Sequence, residues 1–295
     1  MTRGIEWART CFLAACTLDV AVRKPGNVSR ASPGHGMHAE LFLASAQAAA
    51  VPMFQPGARV GPRIEAAMQA TWAVAGCNTN LGILLLCAPV AMAAERAGAL
   101  ASAAQLGGCI EAVLSELDLE DARATYRAIQ RANPGGLGSA PQQDVQHAPS
   151  LALRAAMALA AGRDSIARHY AKGYTGLLVR ASELVDAGFT PTAMREADIA
   201  AQTAALVQRT FLELLSANAD SHIVRKHGER VAHTVMRAAQ VWRSRDWPAE
   251  PAEFAAWDES LKARRINPGT SADLTVATLF LAGLLSPAGR TWHGS

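Results

Sequence analysis

Aromatic residues make up only 5% of this 295-residue chain, and no stretch alternates apolar and polar positions with β-branched residues. Those two shortages argue against a core built on sheets. Cys-x-x-Cys pairs are also missing. Cys11, Cys16, Cys77, Cys87 and Cys109 are odd in number and scattered, which excludes a zinc knuckle or disulfide framework and fits buried thiols in a reducing compartment. The longest apolar run, Leu81 to Ala94, falls short of the ~18 residues of a membrane span. Leu13-Ala14-Ala15-Cys16 has the wording of a lipoprotein cleavage box, but Glu6 and Arg9 leave only a stub before it, and a secretory apolar region needs roughly 7–15 residues. Charge of one sign is lacking too: 28 Lys+Arg against 25 Asp+Glu leave +3, unlike the basic face of a nucleic-acid binder. These absences predict a cytoplasmic protein with neither nucleic acid nor membrane as partner.

Half of the residues are hydrophobic, and alanine supplies much of that count. Alanine loses no side-chain entropy in a helix and lets helices approach closely. The apolar spacing predicts helices over 5–20, 39–50, 60–75, 81–97, 101–116, 120–132, 150–161, 165–187, 192–217, 223–243, 251–264 and 271–285. Gly76 is placed to end the third, and Pro89 should kink or split the fourth. The reading is one all-α domain over 1–295 with about ten or more packed helices.

In such a chain the polar clusters call for explanation. The loop from Lys24 to His38 carries Lys24-Pro25-Gly26-Asn27-Val28-Ser29 and His35-Gly36-Met37-His38. Asn78-Thr79-Asn80 opens the most hydrophobic helix. Asp220-Ser221-His222 is followed by Arg225-Lys226-His227, and Asn267-Pro268-Gly269-Thr270-Ser271-Ala272-Asp273 opens the last helix. Asn78 and Ser271 read equally well as helix N-caps. His35-x-x-His38 is a weak metal pattern without a matching carboxylate. Asn133-Pro134-Gly135-Gly136-Leu137-Gly138 has some of the wording of a dinucleotide fingerprint, but it follows a helix rather than a strand. Taken together, helix N-termini with Lys24, Arg225 and Lys226 suit phosphate, and Asp220 with Asp273 suits magnesium. The residues alone therefore point to a helical protein that binds a phosphorylated small molecule.

The same segments resemble a known pattern. Lys24-Pro25-Gly26 with its glycine/histidine loop, Gly76-Cys77-Asn78-Thr79-Asn80-Leu81-Gly82, Asp220-Ser221-His222, and Asn267-Pro268-Gly269-Thr270-Ser271-Ala272-Asp273-Leu274 are similar, in order, to motifs of the triphosphoribosyl-dephospho-CoA synthases that serve citrate lyase and malonate decarboxylase. The resemblance implies an all-helical, ATP- and magnesium-dependent transferase, in which a ribose hydroxyl of 3′-dephospho-CoA displaces adenine from ATP. It implies Asp220, His222, His35 and Asp273 as catalytic residues, with Asp220 and Asp273 as metal ligands. Lys24, Asn27, Ser29, Asn78, Asn80, Arg225, Lys226, Asn267 and Ser271 would bind the substrates. Asn80-Leu81 replaces the family's His-Lys, and the Asp of the glycine/histidine loop is missing, so the chain reads as a divergent branch. Two alternatives stand beside the synthase: a paralogous enzyme of methanopterin or methanofuran synthesis with another acceptor, and a non-catalytic nucleotide-binding protein. The partners expected are small molecules, ATP and dephospho-CoA or a related acceptor; the oligomeric state is open, with a homodimer among the options.

Overall fold

Two helices that are apolar on every side set the architecture, because such helices must be enclosed by others. They are α4 (Leu81–Ala97) and α14 (Gly269–Leu285), and most residues of both are buried. The computed structural model describes residues 3–98, 102–135, 138–191, 199–244 and 252–287. Among these there are fourteen α-helices and no β-strand. The others are α1 (Arg3–Ala21), α2 (Ala39–Met53), α3 (Val60–Ala75), α5 (Ala103–Ser115), α6 (Leu119–Ala132), α7 (Leu153–Ala160), α8 (Ser165–Lys172), α9 (Thr175–Asp186), α10 (Ala201–Ala217), α11 (Ser221–His227), α12 (Glu229–Arg243) and α13 (Ala252–Ala263). The chain forms a single all-α domain, and no helix of the described residues is long and apolar enough to cross a membrane.

α14 packs against α1, α4, α9 and α10, while α2, α3 and α6 form a layer beyond α4. Three of the few aromatic residues meet at the centre: Phe12, Phe54 and Phe280 stack edge to face with ring centroids 5.6–6.1 Å apart, a favoured arrangement of ring quadrupoles. A second apolar cluster holds Phe211, Trp242 and Phe254 between α10, α12 and α13.

α4 continues through Pro89 as one unsplit helix. Proline offers no N–H to the carbonyl four residues back, and Tyr170 Oη donates to that carbonyl, Leu85 O, at 2.6 Å. Tyr174 Oη does the same for Leu86 O at 3.0 Å. Elsewhere the helix count rises above the sequence reading. The helix expected over 165–187 breaks at Gly173 and Tyr174, both left-handed (φ 73° and 64°), and the one over 223–243 breaks at Gly228 (φ 82°). A lone glycine had given no sign of a break there. Positions 101, 192–198 and 251 of the expected helices lie outside the described residues.

Candidate active site

Two Pro-Gly turns dock on each other at the floor of the site. After α1 the chain turns at Lys24-Pro25-Gly26, where Gly26 takes φ 80°. A Cβ on Gly26 would lie 2.8 Å from both Ile266 O and Pro268 Cδ, so only glycine lets the second turn approach. Gly26 N donates to Asp258 Oδ1 at 2.8 Å, and the buried Asp258 also accepts from Arg23 and Lys262, each at 2.8 Å. Asn27 Nδ2 donates to Asn267 Oδ1 at 2.8 Å. His35, itself left-handed at φ 56°, returns the loop by donating from Nε2 to Gly26 O at 2.8 Å.

The second support is Asp220, the N-cap of α11. Its Oδ1 accepts from the backbone N–H groups of His222 (2.9 Å) and Ile223 (3.1 Å). Its Oδ2 accepts from the Ser271 N–H (2.7 Å) and Ser271 Oγ (2.8 Å). One carboxylate thus caps α11 and ties it to the first turn of α14. Ser221 Oγ accepts from Ser165 N at 3.0 Å and brings in the start of α8. Asp164 caps α8 and accepts from Arg225 at 2.8 Å.

These supports enclose a cleft of about 610 Å³, within the range of small-molecule sites. Asn27, His35, Asn78, Asn80, His222, Arg225, Lys226, Asn267 and Asp273 all line it. Segments almost 250 residues apart in sequence therefore share one cavity. Four predicted residues do not line it. Lys24 is fully buried and paired with Asp19, Nζ to Oδ1 2.9 Å. Ser29 and Ser271 are buried, the latter spent on Asp220. Asp220 itself is buried with both oxygens occupied by protein donors, so it braces the cleft wall instead of facing the cavity. Asn78 also acts as a cap, with Oδ1 accepting from Leu81 N at 3.1 Å.

Sequence reasoning missed Asp19 and Asp164, and the apolar wall that includes Phe42, Trp72 and Met157. Asp19 did carry a signal: a carboxylate in the last turn of a helix opposes the macrodipole and needs a reason to be there. The segment rejected as a dinucleotide fingerprint lines the cleft through Asn133, Pro134, Gly135 and Gly138; Gly136 and Leu137 lie outside the described residues.

A family model described as ATP:dephospho-CoA triphosphoribosyl transferase, CitG, matches residues 5–291. The chain belongs to this family. Its fold is similar to the crystal structure of a protein from Archaeoglobus fulgidus provisionally named a triphosphoribosyl-dephospho-CoA synthase, with a TM-score of 0.63, 20% identity, and coverage of 82% of this chain and 98% of that one. No curated protein matches the chain.

Within this transferase the electrostatics of the cleft are uneven. Asp273 lies against the first turn of α4, where a Cβ on Gly82 would sit 2.0 Å from its Oδ2. Burial, then the carboxylates of Asp19 and Asp220, push the Asp273 carboxyl well above the usual carboxylate range. His222 is pushed the other way: burial and the neighbouring Lys226 and Arg225 lower its imidazole to about 3, so it is neutral at physiological pH. Burial also lowers His35, against the upward pull of the Gly26 carbonyl. Four polar groups lining the cleft hold a buried atom with no protein partner: Thr79 Oγ1, Asn80 Nδ2, His222 Nε2 and Arg225 Nε. Buried polar atoms are normally paired, so a polar ligand is what these atoms suit. A resident magnesium site does not fit as well. Asp220 has no oxygen to spare, Asp19 is paired with Lys24, and the described residues contain no metal-ready group of three or more His, Cys, Asp or Glu.

Proposed function

We propose that this cleft is where the triphosphoribosyl group of ATP passes to a ribose hydroxyl of 3′-dephospho-CoA, releasing adenine. Asp273 carries this reading: an acid with a strongly raised pKa, facing the cleft without a hydrogen-bond partner among the described residues. In the reaction the N-glycosidic bond of ATP breaks and its electron pair leaves with adenine, which needs a proton. Asp273 supplies it, because burial and the neighbouring carboxylates favour its protonated form, which is the form suited to general-acid work. The acceptor oxygen bonds to C1′ and gives up its own proton to the carboxylate left behind, so the acid is restored at the end of the cycle. No P–O bond is cut.

The triphosphate is assigned to Arg225 and Lys226, together with the first-turn N–H groups of α4 and α14 other than Leu81 N and Ser271 N, which Asn78 and Asp220 already take. Helix N-termini and cations both favour phosphate there. Magnesium enters with ATP as the counter-ion of its triphosphate rather than at a resident site. Neutral His222 offers Nε2 as a hydrogen-bonding partner, and Trp72 and Phe42 give a planar base an apolar surface.

The test is a chromatographic assay with ATP, magnesium and dephospho-CoA. Free adenine should appear, with no ADP, AMP or pyrophosphate. The rate should fall as pH rises through the raised pKa of Asp273, because the acid is then lost. Asp273→Asn should lower kcat by about 10²–10⁴-fold, the usual contribution of a general acid, with the thermal transition retained. Phosphate-cleaved products, or full activity in Asp273→Asn, would overturn the proposal.

A further inference from the structure

The lysine of the Lys24-Pro25-Gly26 turn invites the reading of a phosphate-binding cation, and its surroundings contradict that reading. Lys24 is 0% exposed and does not line the cleft. Its ammonium is held between two atoms of a single residue: Asp19 Oδ1 at 2.9 Å and the Asp19 carbonyl oxygen, in a short contact. The turn carrying it is fixed at both ends, by Asn27 N to Lys24 O at 2.9 Å and by Gly26 N to Asp258. Reaching the cleft would mean breaking the ion pair and leaving a buried carboxylate uncompensated, which costs several kcal/mol.

Asp19 does line the cleft, although it is only 4% exposed. It sits near the carboxyl end of α1 (Arg3–Ala21), where the helix dipole disfavours an anion. The Lys24 ammonium offsets that dipole and also binds the carbonyl of the same turn. Asp19 and Asp273 both line the cleft, and of the neighbouring carboxylates Asp19 raises the Asp273 carboxyl most. One is paired with a cation; the other has no partner.

We infer that Asp19 is a second catalytic carboxylate of the cleft, facing the transferred ribosyl group, and that Lys24 is a positioning residue that acts on the reaction only through Asp19. The inference rests on the transfer reaction proposed above. As the bond to adenine breaks, positive charge builds on C1′ and the ring oxygen, and an anion held in place opposes it; preorganised charge of this kind is a large catalytic contribution. The Asp19 carboxylate forms no covalent bond in this step. It stabilises the cationic ribosyl group while the acceptor hydroxyl adds to C1′ and releases its proton. Lys24 holds Asp19 in its rotamer and keeps it from turning away to pair with Arg225 or Lys226 across the cleft.

A double-mutant cycle tests this, since side chains that act as one unit give non-additive losses. Asp19→Asn should reduce kcat for adenine release by about 10²–10³-fold, as when a preorganised electrostatic partner is removed, with KM for ATP changed less than about 3-fold because only the transition state carries the new charge. Lys24→Met should lower kcat in the same way. In the Asp19→Asn background, adding Lys24→Met should cost less than about 3-fold more. Direct calorimetric titration with ATP, in the presence of magnesium, should give similar Kd values for Asp19→Asn and Asp19→Asn/Lys24→Met. Lys24→Met leaves a buried carboxylate without its partner and Asp19→Asn a buried ammonium, so either single variant can fail to fold. In that case the double variant, which contains no unpaired buried charge, is compared directly with wild type and should keep its Kd for ATP within about 3-fold; where Asp19→Asn folds, its comparison with the double variant decides. A loss of about 10-fold or more in ATP affinity or in kcat on that second step would place Lys24 on the triphosphate and overturn the inference. Wild-type activity in Asp19→Asn would overturn it as well. If the wild-type protein releases no adenine, the transfer reaction itself fails, which is a separate result.

Discussion

Replacing Asp220 with asparagine separates a structural carboxylate from a chemical one. Asp220 accepts four hydrogen bonds, two at each oxygen, from α11 and from the first turn of α14. Asparagine keeps one acceptor oxygen and presents an amide N–H₂ to donors on the other side. It can therefore cap α11 or hold Ser271, but not both. Two hydrogen bonds to a charged group are lost, each worth roughly 1.5–3 kcal/mol. The neutral amide also escapes the burial that raises this carboxyl above its ordinary pKa against the downward pull of the Ser271 and Ile223 donors, so the lower end, about 3 kcal/mol, is expected. For a large domain this corresponds to a fall in Tm of roughly 6–12 °C. Circular dichroism melts should show that fall, and adenine release measured well below the transition should stay within about 10-fold of wild type. Ser271→Ala, which removes one of the four bonds, should cost about 1.5 kcal/mol. An unchanged Tm with adenine release abolished would mean that Asp220 acts in the chemistry and that its bracing role is wrong.

The Tyr170 hydroxyl satisfies the carbonyl that Pro89 leaves without a donor, so Tyr170→Phe should cost roughly 1–3 kcal/mol in urea unfolding. In a Pro89→Ala background, which restores an N–H to Leu85 O, it should cost less than half as much, and equal costs in both backgrounds would refute the assignment. For His222, burial and its cationic neighbours set the folded pKa at about 3, against ~6.5 in an unfolded chain. As pH falls from 6.5 toward 3 the unfolded state takes up a proton that the folded state refuses, so stability is lost on acidification. His222→Gln should show a shallower fall of Tm between pH 6.5 and 4 than wild type, and parallel curves would argue that the ring is solvated.

The helical class was legible because a buried helix needs little beyond composition and spacing, and α4 and α14 have both. The extra breaks at Gly173 and Gly228 were not, since a single glycine inside a periodic run costs only ~1 kcal/mol and is often tolerated. The cleft was legible as a set of segments but less so in its roles. Motif residues look alike whether they face a ligand or brace those that do: Lys24 and Asp220 carry the charges expected of a phosphate and metal site, yet both are buried against protein partners. Asp19 stayed hidden for the opposite reason. It lies inside the apolar run of α1, outside every recognisable motif, and becomes a cleft residue only when α1 packs against α4 and α14.

What joins the motifs to one another is close contact at their glycines. Gly26 of the first turn touches Ile266 and Pro268 beside Asn267; Gly82, after Asn80-Leu81, touches the Asp273 carboxyl; and a Cβ on Gly269 would lie 2.9 Å from His222 Nδ1. Each contact joins two different motifs, and together they link the 24–29, 78–82, 220–222 and 267–273 segments through the last of these. A side chain at any of the three would meet backbone or a functional group, so close approach at these glycines sets the spacing between motifs alongside the side-chain ties of Asp220 to Ser271 and Asn27 to Asn267. Asn80-Leu81 can therefore stand at this point of the resembled motif without disturbing the contact at Gly82. The two positions change what the cleft offers a ligand, since Asn80 Nδ2 is left as a buried donor while Oδ1 accepts from Thr71. The glycine after them still lets Asp273 lie against α4. Assembly of the cleft and selectivity within it therefore rest on neighbouring residues that can change independently.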